Sequence, residues 1–152
     1  MKLAWLVVVG GMLAMMWSPA NALELGAVTI RNASNSAVGS VESDGTVRNA
    51  SNSSIGRIER DGTFRNASNS AIGRVDNDGT VRDGGNGMLG RIESDGTIRN
   101  ASNSTIGRIE SDGVIRNTSN SVVGRVDGYS SQLRHLVAAV LFFGGTASAL
   151  SL

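Results

Sequence analysis

The sequence predicts an all-β protein: a closed or stacked array of short hairpins from six repeats, finished by a short C-terminal helix and a closing strand. Two observations predict it. A seventeen-residue unit recurs six times without a gap, starting at Thr29, Thr46, Thr63, Thr80, Thr97 and Val114. Its second, tenth and thirteenth columns are apolar in every copy and mostly β-branched, with no helical period between them. Three aliphatic side chains cannot offset the entropy of ordering so many residues, so the units must share buried surface. Closing or stacking the array would also protect the strand edges that a linear row of hairpins exposes.

Ahead of the array, Met1 to Ala22 reads as an export signal. Lys2 supplies the charge, Leu3 to Trp17 the apolar run and Ala20-Asn21-Ala22 a small-x-small cleavage site. The mature chain is expected to begin at Leu23, with residues 23–130 forming the hairpin domain and residues 131–152 a cap and tail. Leu25 to Val28 could add a leading strand. The complete absence of cysteine excludes disulfides, thiolate chemistry and a lipid anchor on cysteine. Thirteen arginines balance thirteen acids once Lys2 is removed, so the net charge does not steer the chain toward nucleic acid.

The link between units predicts a specific hairpin. In Ile58-Glu59-Arg60-Asp61-Gly62-Thr63-Phe64, a three-residue loop sets Glu59 opposite Thr63 and Ile58 opposite Phe64, so both apolar side chains share a face. A two-residue loop would set Glu59 against Phe64 and bury a carboxylate. The preferred turn is type I completed by glycine at positive φ, the role of Gly45, Gly62, Gly79, Gly96 and Gly113. In this register Arg57 faces Arg65 on the outer side, with Glu59 diagonal to Arg65, making a self-neutralising ladder.

The tenth and thirteenth columns, for example Ile55 and Ile58, lie three apart, which plain alternation would send to opposite faces. The intervening Gly39, Gly56, Gly73, Gly90, Gly107 and Gly124 predict a bulge or bend that returns both to one core. The other connection, such as Asn49 to Ser53, consists of residues that bond to their own backbone. Asn35, Asn52, Asn69, Asn86, Asn103 and Asn120 are therefore expected to be turn residues before they are a binding row.

After Val126 the pattern breaks. Residues 131–139 predict a short helix capped by Ser130 or Ser131, with His135 on its surface, and Val140-Leu141-Phe142-Phe143 a buried strand. Leu136 to Leu152 carries no charge and could instead touch a membrane.

The run of R-N-x-S-N-S-x-I-G-x-I-E-S-D-G units, with an export signal before it and an alanine- then phenylalanine-containing tail after it, resembles the five-fold β-flower proteins. The resemblance covers Thr29 to about Phe143. It implies a bacterial repeat protein whose hairpins radiate around a central axis, and it carries over no catalytic residue. Six copies stand where five-fold symmetry implies five, and a longer tail follows Phe143.

Every Asp, Glu and Ser of the array belongs to a repeated column, whereas an active site needs one asymmetric pocket. The sequence therefore predicts no catalytic, cofactor or metal site. A non-enzymatic structural or interaction role in the bacterial envelope, periplasmic or secreted, is the leading reading. The partner would be an envelope protein, a second copy or a polysaccharide, and not nucleic acid. Binding of a polar glycan is the alternative, and calcium at the Ser-Asp-Gly turns is a lesser one, since those turns lack the spacing of calcium rolls and EF-hands.

Overall fold

The computed structural model describes residues 22–152. The export segment, apart from Ala22, lies outside the described residues. Twelve strands follow one another in antiparallel pairs: β1 (Val28–Asn32), β2 (Ala37–Val41), β3 (Thr46–Asn49), β4 (Ser54–Ile58), β5 (Thr63–Asn66), β6 (Ala71–Val75), β7 (Thr80–Asp83), β8 (Met88–Ile92), β9 (Thr97–Asn100), β10 (Thr105–Ile109), β11 (Val114–Asn117) and β12 (Val122–Asp127). Each unit supplies two strands, and β1 pairs with β12 to close the barrel. Closure leaves no free edge, which answers the exposure problem of a linear array.

The hairpin register is the one that side-chain chemistry demands. Ile58 pairs with Phe64 and Arg57 with Arg65, and both apolar side chains are buried. The Glu59 amide donates to the Thr63 carbonyl and the Gly62 amide to the Glu59 carbonyl, closing the three-residue loop. Gly62 sits at φ +89°, where a Cβ would also collide with the Val75 carbonyl. At the opposite mouth Asn52 takes φ +61°, while the Asn49 side-chain oxygen accepts from the Ser51 and Ser53 amides, both at 3.0 Å. In the fourth unit Asp83 does the same for Gly85 and Gly87.

The predicted bulge is present. Within every unit the register shifts between the second and third columns, as at Val47/Arg48 and Phe64/Arg65. The second- and thirteenth-column side chains are buried. Val38, Ile55, Leu89, Ile106 and Val123 in the tenth column are half-buried against that core, whereas Ile72 is exposed.

The C-terminal segment departs from expectation. Val140 to Phe143 is not a strand but the end of helix α1 (Arg134–Phe143), which follows a 3-10 turn at Ser131–Leu133. Neither Ser130 nor Ser131 makes a side-chain cap: Ser130 stands before the 3-10 turn without a cap bond, and Leu133 precedes α1. All residues from His135 to Leu141 are buried, because the helix lies inside the barrel. A closed barrel offers no edge for another strand, so a chain in its lumen must satisfy its own backbone, and a helix does so. A second short helix, α2 (Thr146–Ala149), and the residues to Leu152 follow it, with Thr146 and Leu150 buried and Ser148, Ala149 and Ser151 exposed.

The glycine row makes room for this plug. A Cβ at Gly39 would meet Val140 at 2.6 Å, at Gly73 it would meet Phe143 at 2.6 Å, at Gly107 Leu152 at 2.7 Å and at Gly124 Leu150 at 2.9 Å. Phe143 stacks on Phe64 with ring centroids 4.2 Å apart. Core closure is thus the role of residues 136–152. Among the described residues no helix is long and apolar enough to cross a membrane.

His135 is likewise not on a surface. It is buried, and its Nε2 donates to the Glu24 carbonyl at 2.8 Å, tying the plug to the N-terminal segment. That segment, residues 22–27, crosses the mouth without strand structure rather than adding the expected leading strand from Leu25. Leu23 anchors it: the side chain is buried and the amide donates to the Arg60 carbonyl at 2.7 Å.

Candidate functional site

With the lumen filled, the chemistry this barrel presents is on its outer wall. Arginines of the third column (Arg31, Arg48, Arg65, Arg82, Arg99, Arg116) and the twelfth (Arg57, Arg74, Arg91, Arg108, Arg125) converge on the fourteenth-column acids. Eleven ion pairs of 2.6 to 3.2 Å join these eleven guanidiniums to six carboxylates. Glu59, Asp76, Glu93, Glu110 and Asp127 each take two arginines, one from each column. Glu42 takes only Arg48, because Ser40 replaces the twelfth-column arginine in the first unit.

The two columns are not equivalent. Third-column guanidiniums are pinned twice, as when Arg65 donates from Nε to Glu59 and from an Nη to the Asn69 carbonyl, at 3.0 and 3.1 Å. Twelfth-column guanidiniums are held by one carboxylate, and their side chains are 57, 56, 55 and 58% exposed at Arg57, Arg74, Arg108 and Arg125. Such pairs are each worth roughly 0–1 kcal/mol, so their retention in every unit but the first is not a stability argument.

Beside these arginines run shallow grooves that follow the repeat. One of about 380 Å³ is lined by Thr63, Gly73, Arg74, Asp83 and Asn86. Another of about 220 Å³ is lined by Thr97, Gly107, Arg108, Asn117 and Asn120, the same columns two units on. Each combines a guanidinium, a threonine and a turn, and none of those residues is aromatic.

Five further acids, Asp44, Asp61, Asp78, Asp95 and Asp112, are engaged in the turns of one mouth, while Asp83 caps a turn at the other. Hydrogen bonds from the Thr46, Thr63 and Thr97 amides, aided by their hydroxyls, hold Asp44, Asp61 and Asp95 below the ordinary carboxylate range. Burial opposes the same shift at Asp78, but the Thr80 amide and hydroxyl outweigh it. The calcium reading needed these oxygens; the geometry places them on their own turns, as in Asp61 Oδ1 to the Thr63 amide at 2.8 Å. Among the described residues no group of three His, Cys, Asp or Glu is placed to hold a metal ion.

The asparagines of the seventh column are turn residues, as expected, with φ between 61° and 69°. What the sequence reading missed is the reciprocal fit of glycine row and tail. The signal was available: six glycines in one column of the repeat and an apolar segment, residues 136–152, that carries no charge.

These features define a class, the repeat-built closed β-barrel with a filled lumen and a multiplied outer surface. A family profile described as 5-fold beta-flower protein matches residues 20–93 and again residues 68–138, and the chain belongs to that family. In this member the ring is of six units, which resolves the mismatch between six copies and a five-fold name. No curated protein and no solved structure matches the chain.

Proposed function

We propose that this is a non-enzymatic interaction protein of the bacterial cell envelope that acts by offering one surface motif repeatedly. The observation that carries the reading is the outer wall, where the same arginine, acid and threonine set recurs around the barrel. Repetition raises the effective concentration of weak contacts and suits attachment more than turnover. The buried apolar plug supports the same reading, since the lumen is occupied by the chain's own side chains rather than by polar groups arranged for chemistry.

The export segment supports placement outside the cytoplasm. The test is fractionation of native bacteria producing the unaltered full chain, detected with an antiserum raised against it. Recovery in the envelope fraction, cross-linked to one partner, is expected. Recovery in the cytosol with the export segment still attached would overturn the proposal.

A further inference from the structure

The near-zero net charge conceals an uneven distribution of charge. On the wall eleven arginines pair with only six carboxylates, and a seventh carboxylate, Asp83, lines the groove beside Arg74. Asp44, Asp61, Asp78, Asp95 and Asp112 are withdrawn into the turns at one mouth, where their oxygens accept backbone amides at 2.8 to 3.0 Å. The wall therefore carries more guanidiniums than the carboxylates paired with them, although Asp83 sits beside Arg74 and Asp78 and Asp95 share a groove with Arg91; Arg57, Arg108 and Arg125 have no such neighbour in these grooves. It is the twelfth-column arginines that have donors to spare, since a carboxylate engages each at one nitrogen while the third-column set is also tied to turn carbonyls.

We infer that this wall binds an acidic polysaccharide, with twelfth-column guanidiniums taking the sugar carboxylates and the adjoining threonine and turn groups taking hydroxyls. This rests on the interaction reading above and names its ligand. Successive sites stand ~10 Å apart around the barrel, two strand spacings, and follow a curved path that a flexible chain can track. A guanidinium fork matches a carboxylate in geometry as well as charge. Aromatic residues are missing from both grooves, and Phe64, Phe142 and Phe143 belong to the interior, so the wall lacks the stacking platforms that single-stranded nucleic acid uses. A saccharide bearing carboxylates and hydroxyls fits the groups that are present.

The first unit supplies a benign variant, because Ser40 stands where the others have arginine and the strand pairing persists. The test compares the full mature chain with a variant carrying Arg57→Ser, Arg74→Ser, Arg108→Ser and Arg125→Ser. The readout is retardation in gels containing polygalacturonate, neutral dextran or oligodeoxythymidylate. Polygalacturonate should retard the parent and dextran should not. The variant should lose about tenfold or more of the retardation while melting at an unchanged temperature. Equal retardation by dextran, undiminished binding by the folded variant, or tighter binding of oligodeoxythymidylate would overturn the inference. If polygalacturonate fails while the envelope partner is still captured, the ligand assignment falls and the interaction reading stands.

Discussion

Removing the plug should unfold the barrel. Leu136, Val137, Val140, Leu141 and Leu150 are all at most 2% exposed. At roughly 1.5–3 kcal/mol for each fully buried side chain, they contribute about 7–15 kcal/mol. That equals the whole net stability of a typical domain, about 5–15 kcal/mol, and the loss would also wet the inward face of every strand. The assay is urea unfolding, followed by far-ultraviolet circular dichroism, of a mature chain ending at Ser130, alone and with a peptide of residues 131–152 added. The chain alone should show no cooperative transition, and the peptide should restore one. A truncated chain that still melts cooperatively within about 5 °C of the parent would refute the claim that the lumen must be filled. Should the truncated chain aggregate, Leu136→Ala in the full chain tests the same point, with an expected loss of about 2–5 kcal/mol.

Other expectations follow from single positions. Gly73→Ala should cost about 1–3 kcal/mol by urea titration, since the new methyl meets Phe143 and the Arg82 carbonyl, while Gly85→Ser in the open turn should be neutral or stabilising by about 0.4–1 kcal/mol. Asn69→Ala, at φ +64°, should cost roughly 1–2 kcal/mol and Asn69→Gly much less. Burial lowers the pKa of His135 from its ordinary 6.5, against the raising influence of its bond to Glu24; the stability this neutral imidazole confers is complete above that value and lost as pH falls toward the folded pKa. A melting-temperature profile should therefore begin to decline below about pH 6.5, and His135→Gln should remove that limb while leaving the later loss, as Asp61 and Asp127 protonate, in place. Leu150→Ala should cost about 2–5 kcal/mol, measured in the same way.

The parts legible in the sequence are those that local chemistry decides. Ile58 and Phe64 could share a face only with a three-residue loop, and Asn52 and Gly62 mark the two turns by their tolerance of positive φ. The outer ladder followed from the same register. The helix was legible as far as Ala139, but its last turn was not, because Val140-Leu141-Phe142-Phe143 has strand-like composition and its conformation is set by a non-local fact. The barrel closes through β1 and β12, leaving this segment in a lumen with no edge to pair with. Burial of His135 depends on the same placement, since nothing adjacent in sequence covers it.

The ring of six units and the tail after it fit one another. Barrel radius grows in proportion to strand number, so a ring of six units encloses about 1.4 times the cross-section of a ring of five. The inward side chains at the second and thirteenth columns are Val, Ile and one Phe. Helix α1 lies chiefly against β6, β7 and β8 on one side and β1 and β2 on another. The strands it does not cover are met by the residues beyond it: Leu152 faces Gly107 on β10 and Leu150 faces Gly124 on β12. Glycine thins the wall at the level where these side chains arrive, and the tail fills part of the volume enclosed. A well-packed interior tolerates no empty space of that size, and Leu150 and Leu152, beyond Phe143, help to fill it against Gly124 and Gly107.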